Sequence, residues 1–204
     1  VIRFACPAVF WTAMLLISGC AAPQPTQILD ARTDHSGYGM GLDERDFSSA
    51  AQAAVQKLLG SGAVDRPGGG RYVIVISRIT NDTMQRIDTD QLVKKIRVAL
   101  LNSGKAAITT SMGDAGAEDQ MSARYRQLRE SNEYNQRNMA GAHEMALPDL
   151  SLSGKFIQSN TTVDRGQRVD YEFQLSLTDL HSGVALWEDE EPLSKLGSNA
   201  TVAW

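Results

Sequence analysis

Apolar residues recur along this chain with two periods, and the period changes with position. Over residues 46–59, Phe47, Ala51, Ala54, Val55, Leu58 and Leu59 fall mostly three or four apart. That spacing predicts an amphipathic helix capped by Asp46 and broken by Gly60-Ser61-Gly62 and Arg66-Pro67-Gly68-Gly69-Gly70. Residues 72–76 form a continuous apolar run rich in β-branched side chains, which predicts a central strand buried on both faces. A second helix is expected from an Asp88 cap, with Gln91 three residues on. Its inward stripe is Leu92, Ile96, Ala99 and Leu100, flanked by Val93 and Leu101, and Gly104 ends it. Residues 105–110 predict a short strand. Residues 118–130 have helical spacing through Met121, Tyr125 and Leu128, and 132–146 are polar and broken.

The last third switches to a period of two. Leu150, Leu152, Gly154 and Phe156 alternate with polar neighbours. After a turn near Asp164-Arg165-Gly166, the residues Val169, Tyr171, Phe173, Leu175 and Leu177 alternate with Asp170, Glu172, Gln174, Ser176 and Thr178. A loop at His181-Ser182-Gly183 leads to a strand over residues 184–187. This predicts an antiparallel meander with one apolar face. The whole pattern predicts an α+β fold: helices packed on a small mixed sheet, ending in the meander.

The amino end follows neither period. Arg3 is the only charge before a mostly apolar run over residues 4–17. At about 14 residues that run is too short to cross a ~30 Å hydrocarbon core comfortably. Residues 1–19 therefore read as a secretory signal peptide. The run ends in Leu16-Ile17-Ser18-Gly19-Cys20, which resembles the lipobox of bacterial lipoproteins. The resemblance implies cleavage before Cys20, diacylglycerol on its thiol and a further acyl chain on its freed amine. Two or more chains anchor stably where one does not. Ala21, not Asp, follows the cysteine, which by resemblance to sorting patterns implies the outer membrane, facing the periplasm. Residues 20–45 contain Pro23, Pro25, Gly37, Gly39 and Gly41 without an apolar period, and read as a lipidated N-terminus and flexible tether. Residues 46–204 read as a single globular periplasmic domain.

Composition narrows the chemistry. Twenty basic against 24 acidic residues give a net charge of −4, so no nucleic-acid partner is expected. Cys6 leaves with the signal peptide and Cys20 carries lipid, so the mature chain has no disulfide. His35, His143 and His181 lack metal-ligand spacing, and neither metal nor cofactor is expected. Gly68-Gly69-Gly70 precedes its strand, whereas a phosphate loop follows one, so it reads as a turn. Glu188-Asp189-Glu190-Glu191 reads as a solvated strand end, because alternation points neighbours to opposite faces. Arg124, Arg126, Arg129 and Arg137 are offset by Glu118, Asp119, Glu130 and Glu133 and read as a solvated helix. With no Gly-x-Ser-x-Gly elbow either, no enzyme is expected. What remains is binding. Arg165 and Arg168 on the hairpin, with Tyr171 at the rim of the apolar face, are residue types enriched at binding hot spots.

From Arg78 onward the chain also carries Thr80-Asn81-Asp82-Thr83, Ile87-Asp88-Thr89, Ile96-Arg97-Val98-Ala99-Leu100 and Asn102-Ser103-Gly104-Lys105. Further on come Pro148-Asp149-Leu150-Ser151-Leu152-Ser153-Gly154-Lys155 and Gly183-Val184-Ala185-Leu186-Trp187-Glu188. In this order, and joined to a lipobox, these resemble the LpoB family, outer-membrane lipoprotein activators of a bifunctional penicillin-binding protein. The resemblance implies a fold similar to the amino-terminal domain of TolB. It also implies docking on a small non-catalytic domain of the synthase, stimulating glycan polymerisation and cross-linking. A monomer is expected. An accessory or assembly lipoprotein of a secretion or envelope complex, on the same kind of fold, is the alternative left open.

Overall fold

A computed structural model describes residues 39–112, 118–141, 143–163 and 166–198. Helix α1 spans Glu44–Ser61. Asp43, not Asp46, is its cap: the Asp43 carboxylate accepts from the Arg45 and Asp46 amides, and the Asp46 carboxylate accepts from the Asp43 amide. Both acids belong to one capping box, so the sequence pattern located the box but not its first member. Gly62, at φ 80°, closes the helix in the left-handed region. The buried face is Phe47, Ala51, Ala54, Val55 and Leu58, as the period predicts.

Strand β1 is Tyr72–Asp82, α2 is Thr89–Asn102 and β2 is Ala106–Ile108. Asp88 caps α2 by accepting from the Asp90 amide, and Leu92, Val93, Ile96 and Leu100 are buried. A short helix α3, Gln120–Gln127, runs on into a 3-10 turn at Leu128–Glu130, with a second such turn at Gln136–Asn138. No residue of α3 is buried, so its helical period has no core behind it. Three long strands complete the fold: β3 Leu150–Val163, β4 Gly166–Asp179 and β5 Ala185–Ser198.

The five strands form one sheet in the order β2-β1-β3-β4-β5. β1 pairs parallel with β2 and β3, while β3, β4 and β5 pair antiparallel. This is the expected α+β arrangement on a mixed sheet. β1 lies second in the order and not at its centre, yet Ile74, Val75 and Ile76 are all buried, as a strand covered on both faces requires. Aromatic packing ties helix to sheet, with Phe47 edge-on to Phe156 at 5.7 Å and Phe156 stacked on Phe173 at 4.6 Å. Beside that stack, a Cβ on Gly154 would lie 2.8 Å from both the Gln174 carbonyl oxygen and Leu175 Cδ2. Only glycine fits there without displacing β4 backbone.

β5 corrects the sequence reading most. The acidic run is not a strand end but the middle of a fourteen-residue edge strand. Trp187, Asp189, Glu191, Leu193 and Lys195 lie opposite Leu177, Leu175, Phe173, Tyr171 and Val169, hence on the helix side of the sheet. Lys57 of α1 bridges Asp189 and Glu191 at 3.0 and 2.6 Å, and Lys195 meets Asp46 at 2.5 Å. These two carboxylates hold the Lys57 ammonium in its charged form to higher pH than usual, Glu191 first and Asp189 second. Inward charges and Pro192, which lacks an N–H, guard this edge against pairing with another strand.

Candidate partner-docking surfaces

The strands define two poles. At one, β1 ends at Asp82 and the β3–β4 hairpin turns between Val163 and Gly166. The chain joins the domain near this pole, through a clamp on three successive main-chain units. Tyr171 donates its hydroxyl to the Met40 carbonyl at 3.0 Å, and the Lys195 ammonium donates to the Gly41 carbonyl at 2.6 Å. Gln85 accepts from the Leu42 amide at 2.7 Å and donates to its carbonyl at 2.9 Å. A Cβ on Gly41 would stand 2.7 Å from Gln85 Oε1, so a larger residue there would push the Gln85 side chain out of this clamp. Met40 and Leu42 are buried. Packing thus reaches into the stretch that composition reads as tether.

The residues expected at the hairpin separate. Tyr171 is not at the rim: it is 2% exposed, a core side chain in phase with Val169 and Phe173. Burial, and secondarily the Asp46 charge, push its hydroxyl up to about 12. Its burial was legible in the alternation. The acceptor for its hydroxyl, 131 residues away, was not. Arg168 is on the surface, donating to Asp170 Oδ1 at 2.8 Å and to Ser194 Oγ at 3.2 Å. Ser194, with Arg168 after it, holds the Asp170 carboxyl below its usual value. Arg165 and Cys20 lie outside the described residues.

The opposite pole gathers loop 62–71, the start of β3 and the β4–β5 turn around Asp149. The Asp149 amide donates to the Val73 carbonyl at 2.7 Å, and its carboxylate accepts from the Val73 amide at 2.8 Å. Arg66 reaches the same carboxylate at 3.4 Å, donates to the Arg71 carbonyl at 3.1 Å and lies 5.3 Å over the Tyr72 ring. The Leu180 amide donates to the Asp149 carbonyl at 3.0 Å, joining the turn to the strand. Within the turn, the Asp179 carboxylate accepts from the His181 amide at 2.8 Å, which holds its carboxyl below the usual range. Around this frame Leu147, Leu180, Val184 and Leu186 are exposed.

Two of the hollows among the described residues lie against helices. A groove of about 620 Å³ runs between α1 and α2 over Ala51, Val55, Leu59 and Val98, with Lys94 and Lys95 at its rim. Lys95 is paired with Glu44 at 2.6 Å. A smaller hollow of about 360 Å³ lies beside α3, lined by Met121, Tyr125, Leu128, Ala140 and Met145. Among the described residues no three His, Cys, Asp or Glu side chains gather as a metal site, and no helix is long and apolar enough to cross a membrane.

Exposed apolar side chains beside paired arginine and aspartate are residue types common at protein interfaces. The family model described as the peptidoglycan-synthase activator LpoB matches residues 46–193, and the chain belongs to that family. Among solved structures, the LpoB C-terminal domain from Escherichia coli is 16% identical, with 74% of this chain and 99% of that one covered at a TM-score of 0.43. The domain from Salmonella enterica is 19% identical, covering 72% and 98% at 0.44. Lipoprotein GNA1162 from Neisseria meningitidis is 10% identical, covering 63% and 88% at 0.37. No curated protein sequence matches the chain.

Proposed function

We propose that this chain is held at the outer membrane by lipid on Cys20 and from there binds and activates a class A, bifunctional penicillin-binding protein. The family match over residues 46–193 carries the reading. The lipobox-like Leu16-Ile17-Ser18-Gly19-Cys20 supplies the anchor, and the residues that follow supply a tether. On this reading the chain is a monomeric regulator with no reaction of its own. It speeds the synthase by favouring that enzyme's competent state, which requires higher affinity for that state than for the idle one.

The test is reconstitution. The purified lipoprotein is added to a purified class A synthase with lipid-linked precursor, and glycan polymerisation is followed. Faster polymerisation is expected from the pair and none from the lipoprotein alone. Cys20→Ala should keep this effect in detergent, yet lose palmitate labelling and recovery with the outer membrane. Glycan made by the lipoprotein alone, or no rate change at saturating binding, would refute the activator reading. Unchanged labelling and membrane recovery of the Cys20 variant would refute the anchor.

A further inference from the structure

We propose that the synthase docks in the groove between α1 and α2, by laying into it an amphipathic helix with a carboxylate at one end. The inference rests on the reading above and adds the surface and the kind of element it receives. α1 and α2 lie side by side and run the same way. Glu44 meets Lys95 at one end, and the Leu59 carbonyl meets Lys105, just past α2, at the other. The groove of about 620 Å³ follows them from Ser48 to Leu59 on α1 and from Lys94 to Ser103 on α2. The stretch from Ser48 to Leu59 rises roughly 16 Å, or about three helical turns. Ala51, Val55, Leu59, Val98 and Ala99 all line this one hollow, so its apolar side chains are contiguous. Val98 is 44% exposed, left uncovered by the core of the domain.

Charge and main-chain bonding together select the occupant. Among the described residues, the charged side chains lining the groove are Lys94 and Lys95, with no carboxylate beside them in it. This basic end stands out on a chain of net charge −4. Lys95 is paired with Glu44 at 2.6 Å, whereas Lys94 has no ion-pair partner among the described residues. Asp88 and Asp90 line an adjoining hollow with Lys94, but neither is bonded to it. Arg168 at the hairpin and Arg66 at the opposite pole, by contrast, each already hold an aspartate. Lys94 is thus open to a carboxylate brought by the occupant. The peptide groups of α1 and α2 are spent within their own helices, so the groove presents side chains and little to bond a guest backbone. An extended segment laid there would bury unpaired N–H and C=O groups, while a helix bonds its own. A third helix also fits by size, since neighbouring helices pack about 8–10 Å apart. Gln52 and Gln56 on one side and Asn102 on the other suit the polar flanks of such a helix and not a bare hydrocarbon chain.

The full-length lipoprotein in phosphatidylglycerol-containing vesicles tests this by its affinity for the purified class A synthases of the same bacterium. Val98→Asp should weaken binding about tenfold or more, with circular dichroism and melting temperature unchanged. Lys94→Gln removes a side chain that holds nothing in the domain, so it keeps the test open should Val98→Asp unfold. It should bind more weakly than the unsubstituted protein at low salt and lose part of the salt dependence. Arg168→Glu at the hairpin and Val184→Asp at the opposite pole should each bind within about twofold, as substitutions outside the contact do. Photo-crosslinking residues placed singly at Gln52 and Gln56, one turn apart on α1, read the form of the occupant. They should mark synthase residues about four apart for a helix, against about two for an extended segment. Full affinity of folded Val98→Asp, unchanged salt dependence in Lys94→Gln, or marks two apart overturns the proposal. Crosslinks to phosphatidylglycerol in place of the synthase overturn it in favour of a lipid, and loss confined to Arg168→Glu or Val184→Asp moves the contact to that pole. If the unsubstituted lipoprotein binds no class A synthase, the activator reading itself fails and this inference with it.

Discussion

Tyr171 brings one hydroxyl into an apolar layer, and the Met40 carbonyl takes it at 3.0 Å. Removing the hydroxyl in Tyr171→Phe keeps the ring but leaves that carbonyl short of a donor. A loss of about 0.5–1.5 kcal/mol is expected, read from urea unfolding. The same residue makes stability depend on alkaline pH. Its hydroxyl ionises at about 12 in the folded chain against 10.0 ordinarily, because burial first and Asp46 second disfavour the phenolate. Between those values the unfolded chain binds fewer protons than the folded one, so stability falls as pH rises. The contribution is whole below pH 10 and lost on passing 12. The Phe variant should therefore show a flatter decline over that window, and an identical decline would show that Tyr171 is not its source. The clamp as a whole was not legible in the sequence. Gln85, Tyr171 and Lys195 reach main-chain groups 43, 131 and 154 residues away, and main-chain groups carry no residue signature.

Among the elements, periodicity told α1, α2, β3 and β4 because each has one face on the core and one in water, and the apolar spacing records that face. β5 broke the rule. Its inward positions include Asp189, Glu191 and Lys195, which are tolerated only because α1 supplies Lys57 and Asp46 opposite them. A polar residue that is inward through a distant partner looks outward in the chain. α3 erred in the other direction, with the right period and no buried residue. Tyr125 donates to the Asn138 carbonyl at 2.5 Å and Arg126 pairs with Glu118 at 3.0 Å. Among the described residues, only the Arg126 contact with the Ser111 carbonyl and the Asp119 amide bond to the Thr110 carbonyl tie the segment to the chain after β2. A helix so short and so little packed should open independently of the sheet. Hydrogen exchange is expected to be faster by orders of magnitude at α3 amides than at those of α2, whose Leu92, Ile96 and Leu100 are fully buried. Equal protection would mean that α3 is packed against something else in solution.

At the scale of the molecule, reach follows from where the clamp sits. With lipid on Cys20 as proposed, eighteen residues separate the anchor from Gly39, fewer than composition alone assigns to the tether. Fully extended they span at most about 60 Å at roughly 3.3 Å each. As a flexible coil their r.m.s. span is only about 20–25 Å. On the proposed function the lipid anchor sits in one membrane and the synthase in another, so the span of the tether matters. Local concentration of a tethered ligand falls to nearly zero once the tether cannot span the gap. Deleting ten residues between positions 26 and 38 leaves the clamp and the domain untouched. The deletion should abolish activation in cells while leaving affinity for the purified synthase unchanged. Restoring the length with ten Gly/Ser residues of unrelated order should restore activation, because span and not sequence is what the segment supplies. Full activity in cells after the deletion would show that the partner comes close enough to the anchor for reach not to matter.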